Sequence, residues 1–515
     1  MIKKFALIHI LGTVLGFCEN PNIVLIYADD LGYTDLSCQG SKYYETPNID
    51  RIGREGMTFS NAYAGAANCA PSRACMMTGK YTPRHGVFTV ANSDRGKAKN
   101  RKLIPIKNKQ ILDEKFVTVA EALKSRGYQT CVAGKWHLSK DPTKDGFDAN
   151  FGGTTWGHPK SYFSPYKNPY LKDGPKGEHL PERLSRDVAN WITKNSKSPF
   201  FVYLPFYSVH TPIQAPKNLT EKYEKKSPGG SHKNPKYAAM IDAMDQAVGH
   251  ILKTLDEQNL AKNTLVIFTS DNGPHGSISR AEPLRGVKGM YYEGGIREPF
   301  LVRFPGVIEA GSKNKTPISQ IDLYPTFLDL AGQTGQTGLD GVSLLPTFKK
   351  RDLKPRSLFW HFPGYLQSYK ADPDSASRFF RTTPCSVIRK GDWKLIQYFE
   401  DEAIELYNLK MDVSEKKNLV LKNEEKKQEL LRELKDWQKS TRAPIPTEKN
   451  PAYRKWTTFG ALVINRESSP RFEVSLKPHG ACLSSFPITV CYSAVFIFLL
   501  VLVSPNSQFL RCRVR

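Results

Sequence analysis

The chain has 515 residues, of which 40% are apolar and 11% aromatic, enough for a large buried core divided into one big domain and a smaller one. Its 74 Lys and Arg against 50 Asp and Glu give a formal charge of +24, which draws polyanions but does not choose between nucleic acid, anionic membrane and sulfated polysaccharide. The nine cysteines exclude a disulfide framework and lack the paired spacing of a zinc site.

In chain order, Lys3 and Lys4 precede an apolar stretch over residues 5–17, which predicts an export signal over 1–18 and an exported, periplasmic or extracellular protein. Cys18 follows bulky Phe17, a poor context for lipidation. Next, 22–28 is a continuous β-rich run, and similar runs recur at 128–133, 200–205, 264–269 and 299–304. Helical stretches alternate with them at 118–126, 181–195 and 237–255, the last with Met240, Met244, Val248, Ile251 and Leu255 on one face. Strands alternating with helices predict an α/β domain over 19–355 with a largely parallel sheet. The Gly-, Pro- and Lys-rich segment 140–177 reads as a loop crossing the active face. From 356 to 450 short strands at 386–389, 393–398 and 404–407 and a charged helix at 423–439 predict a small α+β domain. The tail, 451–515, is irregular, and its apolar run at 490–503 fits a marginal membrane anchor, a processed tail or a spurious extension, between which its flanks do not decide.

Two acidic pairs close strands in the same way: Asp29-Asp30 after the first, and Asp271-Asn272 after the run at 264–269. Open α/β sheets bind ligands at the carboxyl ends of their strands. Three carboxylates and an amide meeting there supply hard oxygen donors for Ca²⁺ or Mg²⁺, although Asp and Asn also simply make turns. Setting aside Cys18 and the tail cysteines leaves Cys38, Cys69, Cys75, Cys131 and Cys385, an odd number with at least one free for chemistry. Cys69 stands before Pro71, where a helix can open with its positive end toward the cysteine.

Cys69-x-Pro71-Ser72-Arg73 followed by Thr78-Gly79 resembles the type I sulfatase signature. Gly134-Lys135-Trp136-His137-Leu138, the segment from Gly286 through Lys288 to Arg297, and Leu406-Tyr407-Asn408-Leu409 with Asp412 and Asn418-Leu419 are similar to later motifs of that family, in the same order. The resemblance runs from the first strand to about Leu419. It implies an alkaline-phosphatase-like α/β sandwich, a large mixed, mostly parallel sheet flanked by helices, with a smaller C-terminal α+β domain.

It also implies hydrolysis of sulfate esters, on sulfated carbohydrate or aryl sulfate, by formylglycine made from Cys69. One Ca²⁺, in preference to Mg²⁺, would be held by Asp29, Asp30, Asp271 and Asn272 beside Cys69. Arg73 and Lys135 would hold the hydrated aldehyde, Lys288 and His210 the sulfate, and His137 would take the proton that lets sulfate leave. The implied partners are the substrate and a maturation enzyme that makes formylglycine, with no nucleic acid. Taken singly, each of these side chains also fits a structural role. Two other readings stand beside this one: a phosphodiesterase or phosphonate hydrolase of the same superfold, and a non-catalytic binder of sulfated glycans.

Overall fold

The computed structural model describes residues 20–369 and 372–454. The expected export signal, Cys18 and nearly all of the tail with its apolar run lie outside them. The described residues through Tyr453 belong to one compact unit.

An eight-stranded sheet forms the centre: β1 (Asn22–Ala28), β2 (Met57–Phe59), β3 (Gln129–Ala133), β4 (Ala149–Phe151), β5 (Phe200–Pro205), β6 (Thr264–Ser270), β7 (Phe300–Arg303) and β8 (Ser312–Asn314). Their order is β4-β3-β5-β1-β6-β7-β2-β8. All are mutually parallel except β7, which runs against both β6 and β2. The five expected strands are present, and the antiparallel direction of β7 is the feature that their apolar pattern did not carry.

After Asn22, β1 is apolar because both its faces are covered. Val24, Ile26 and Ala28 enter one core with the helices Leu180–Asn195 and Pro235–Glu257, while Ile23, Leu25 and Tyr27 enter the other with the helices Cys69–Thr78 and Leu323–Leu330. Such alternation about a doubly covered strand produces a three-layer sandwich. The helix Pro235–Glu257 buries Met240, Met244, Val248, Ile251 and Leu255 completely. It starts two residues before the expected position because Asn234 caps it, its side chain accepting the Tyr237 N–H at 3.2 Å, with Pro235 in the first turn.

The C-terminal part is α+β. Strands β9 (Ser357–Phe362), β10 (Cys385–Lys390), β11 (Trp393–Tyr398) and β12 (Ile404–Asn408) form an antiparallel sheet in that order. Alternate residues divide its faces. Ile388, Leu395 and Leu406 meet Leu430, Leu434 and Trp437 of the helix Glu424–Thr441, and Val387, Ile396 and Tyr407 meet Tyr63, Met290 and Tyr292 of the larger part.

The segment 140–177 departs from the expected loop. It contains a 3₁₀ turn (Pro142–Asp145) and edge strand β4, whose Ala149 pairs with Cys131. Three residues are too few to show a two-residue repeat in sequence.

Candidate active site

β1 and β6 are neighbours in parallel register, Ala28 opposite Ser270, so the two acidic pairs leave the sheet side by side. The Asp30 N–H donates to Asp271 Oδ1 at 3.1 Å, and Asn272 Nδ2 donates to Asp30 Oδ1 at 2.7 Å. Asp29, Asp271 and Asn272 are wholly buried, and Asp30 nearly so. Lys135, two residues beyond β3, reaches Asp29 Oδ2 at 2.6 Å. His210, five residues beyond β5, sets Nε2 3.6 Å from Asp30 Oδ2, and its Nδ1 lies 2.7 Å from the Thr211 carbonyl oxygen. Lys288 comes from the loops before β7 and donates to Asp30 at 2.7 Å.

Cys69 is the first residue of its helix, not a residue facing a helix that begins at Pro71. Pro71 falls in the first turn, where its missing N–H would have no helical partner in any case. Cys69 is 2% exposed. One turn on, Arg73 donates through Nε and Nη2 to Asp271 Oδ2 at 3.0 and 2.8 Å and through Nη1 to the Lys135 carbonyl at 2.7 Å. One donor atom each from Asp29, Asp30, Cys69 and His210 lies within 4.8 Å of all the others. The predicted residues therefore converge, from positions 29 to 288, at the carboxyl edge of the sheet.

Burial raises the Asp29 carboxyl, with Lys135 opposing. Burial also disfavours charge on Asp30, yet Lys288, His210 and Lys135 together hold its carboxyl below the ordinary range. Burial and the nearby cations keep His137 neutral. His210 is lowered too, by burial and then Lys288, against the pull of Asp30. Burial pushes the Cys69 thiol up despite Lys135 and Lys288. Asp29 Oδ1 and Asn272 Oδ1 are buried with no hydrogen-bond partner. Orphaned oxygens beside two further carboxylates suit a hard cation.

His137 sits at φ 68°, its N–H on the Thr154 carbonyl at 2.8 Å. A Cβ on Gly157 would stand 2.9 Å from His137 Cε1, so the chain passes closely over this ring. His158 lies parallel to His210 with ring centroids 6.4 Å apart. This stretch of 140–177 does cross the active face.

Arg297, grouped with Lys288 by its motif, stays out of the site. It pairs with Glu293 at 3.4 Å and donates to the Ser60 carbonyl. Gln320 was missed. It accepts from Ser72 at 2.9 Å and from the Tyr27 hydroxyl, tying the Cys69 helix to β1, and a lone Gln in a turn carries no sequence signal.

The family model described as Sulfatase matches residues 21–333. The chain belongs to the sulfatase family. A second model, N-sulphoglucosamine sulphohydrolase, C-terminal, matches residues 287–443 of this sulfatase. A sulfatase of Formosa agariphila is 36% identical over 487 residues, covering 79% of this chain and 85% of that protein. N-acetylgalactosamine-6-sulfatase of Homo sapiens is 32% identical, covering 73% and 75%. The crystal structure of Ps i-CgsB in complex with k-i-k-neocarrahexaose matches with a TM-score of 0.68 at 30% identity, covering 81% of this chain and 93% of that one. The fold is thus alkaline-phosphatase-like, and the enzyme is a sulfuric ester hydrolase.

Proposed function

We propose that this sulfatase removes sulfate esters from a saccharide, with residue 69 converted to formylglycine as the attacking group and one Ca²⁺ beside it. The observation that carries the reading is the convergence of Asp29, Asp30, Cys69 and His210 within 4.8 Å amid buried Arg73, Lys135 and Lys288. A relative acting on N-acetylgalactosamine 6-sulfate by name, and a structural neighbour holding a neocarrahexaose, favour a sugar substrate.

Asp29, Asp30, Asp271 and Asn272 would hold the cation, which supplies positive charge next to the sulfate oxygens when bound. Formylglycine, once made, supplies an aldehyde carbon that carries two hydroxyls in water, one to attack sulfur and one to let the sulfate go. A plain thiol suits position 69 less well, since its raised pKa leaves little thiolate.

The remaining steps fall to the chain itself. Arg73 and Lys135, locked on Asp271 and Asp29, bring fixed positive charge to residue 69 without moving. Lys288, which Asp30 keeps protonated against the effect of burial, grips the sulfate with His210 beside it, and Lys288 is the one of the two that holds a proton to give to the departing alcohol. Neutral His137, whose buried Nδ1 has no partner, is in the state needed to accept a proton as the sulfate is released. The reading of residues 1–18 as an export signal puts the substrate outside the cytoplasm.

Mass spectrometry of the peptide containing Cys69, made with a maturation enzyme present, tests the modification, and sulfate release from a panel of sulfated sugars tests the activity. An aldehyde together with sulfate release is expected. A bare thiol in an enzyme that still turns over, or faster cleavage of a nitrophenyl phosphate diester than of the matching sulfate, would overturn the reading.

A further inference from the structure

Two arginines beside the site have no role in the chemistry above. Arg381 belongs to a small hairpin, Leu366–Gln367 with Phe380–Thr382, that the C-terminal part lays against the Lys288 loop. It is 8% exposed, and its Nη1 donates to the Lys288 carbonyl at 3.1 Å. Its guanidinium lies 4.3 Å from the centre of the Tyr369 ring, and that ring in turn rests against His275 at 4.6 Å. Its Nε has no hydrogen-bond partner.

Arg95 comes from a distant stretch of the chain, the loop around Ser93. The Tyr365 N–H bonds to the Ser93 carbonyl at 2.7 Å, and Gly96 is close enough to Phe380 that a Cβ would stand 2.8 Å from its ring. Arg95 anchors Nη2 on the Val90 carbonyl at 2.7 Å. It is within electrostatic range of Arg381, Cys69 and Tyr369. Among the described residues neither arginine makes an ion pair, and the nearby carboxylates Asp372 and Asp374 are engaged by Arg280. A buried guanidinium and a half-buried one with no counter-charge repel each other, a cost that a nearby oxyanion would relieve.

Tyr369 also lines a cleft of about 400 Å³, together with Ser368, Asp372, Ser377 and Arg378. Tyr369 thus has Arg381 on its ring and borders the cleft, and Arg381 is one hydrogen bond from the backbone of Lys288, the sulfate-gripping residue.

We propose that Arg381 and Arg95 form a second oxyanion subsite that reads another anionic group on the same saccharide, so that the preferred substrates carry a sulfate or carboxylate besides the ester that is cleaved. This rests on the sulfate-ester reading of the site and deepens it. A guanidinium offers two parallel donors to such a group, and Tyr369 holds one of the two pre-oriented.

The test uses the full-length, aldehyde-bearing enzyme with positional isomers of singly sulfated N-acetylhexosamine, the doubly sulfated counterparts, and a singly sulfated disaccharide containing uronate. Charge-assisted hydrogen bonds of this kind correspond to about tenfold to a hundredfold in affinity, so at least one doubly anionic substrate should exceed its singly charged partner in kcat/KM by that factor, mostly through KM. Which of them gains identifies the second group as sulfate or carboxylate. Arg95→Gln and Arg381→Gln should each shrink that ratio toward one, and Arg95→Lys should keep part of it. Arg95→Gln is the safer probe, because Arg381 also supports the Lys288 backbone. A ratio near one in the unaltered enzyme, or a ratio unchanged in both Gln variants, overturns the subsite. Failure of the aldehyde-bearing enzyme to release sulfate from any of these sugars overturns instead the reading on which it rests.

Discussion

Arg73 closes two nitrogens on one oxygen of Asp271, at 2.8 and 3.0 Å, while the backbone N–H of Asp30 takes the other at 3.1 Å. The pair is wholly buried and joins the helix that carries residue 69 to the end of β6. Cutting a buried pair on one side leaves the other charge stranded, so Arg73→Ala should cost about 3 to 5 kcal/mol of stability along with activity. Arg73→Lys keeps the charge but not the fork, and the Lys135 carbonyl loses its donor. It should lower kcat more than it lowers Tm, and calorimetry beside steady-state kinetics separates the two.

At residue 69 the expectation is absolute. Cys69→Ala should abolish turnover, and Cys69→Ser should give at most one turnover, because a serine ester has no second hydroxyl through which to release sulfate. Rapid-quench measurement of sulfate per active site checks this, and sustained hydrolysis by either variant is the contrary result.

Calcium should stabilise the fold. A ligand present at 100 times its Kd and bound only to the folded chain adds about 2.7 kcal/mol. Chelation should therefore lower Tm and stop sulfate release, with Ca²⁺ restoring both. Asp29→Asn should blunt the Tm response, because its orphaned Oδ1 belongs to the proposed donor set.

A pH effect is expected away from the site. Lys394, fully buried, lies 3.0 Å from Glu293 and 2.9 Å from Glu415, with Arg297 on Glu293 and Arg285 donating to the Glu415 carbonyl. Burial pushes the Glu415 carboxyl up to about 7, with Lys394 opposing and Glu293 reinforcing. An unfolded glutamate titrates near about 4.3, so between the two values the folded chain holds a proton that the unfolded chain has lost. The stability that Glu415 contributes thus falls as pH rises through that window. Glu293, held at about 2, acts in the opposite direction and in the lower window, between that value and about 4.3. Denaturant titrations from about pH 5 to about pH 7.5 should show the difference between wild type and Glu415→Gln declining with pH. A difference that is flat or rising refutes the assignment.

Gly157 offers a test of His137. A Cβ at this position would stand 2.9 Å from His137 Cε1 and 3.0 Å from Nε2, so Gly157→Ala must displace the ring. Misplacing a reacting group by about 1 Å can cost on the order of a hundredfold in rate, and kcat should fall accordingly while Tm changes little. An unchanged kcat would remove His137 from the reaction.

Much of the framework was legible beforehand because the relevant signals are local. A strand covered on both faces must be largely apolar, as β1 is from Ile23 to Ala28, and the helix Pro235–Glu257 repeats its buried methionines at helical spacing. Carboxylates directly after two such strands indicate the functional edge of the sheet. The direction of β7 and the presence of β4 did not show, since neither polarity nor three residues of pairing leaves a periodic mark.

The sequence by itself set Asp29, Asp30, Asp271 and Asn272 directly after two strands and marked Cys69, Lys135 and His210 as candidates on other segments of the chain. Only the tertiary structure decided what they face. The register of β1 against β6 set the two acidic pairs side by side, Asp271 took Arg73 while Arg297 turned away to Glu293, and a hairpin nearly a hundred residues beyond Lys288 brought Arg381 to its backbone. The reason is physical. Covering a strand is a local demand that each stretch of chain records in its own pattern, whereas pairing of buried charges depends on which segments the sheet order makes neighbours.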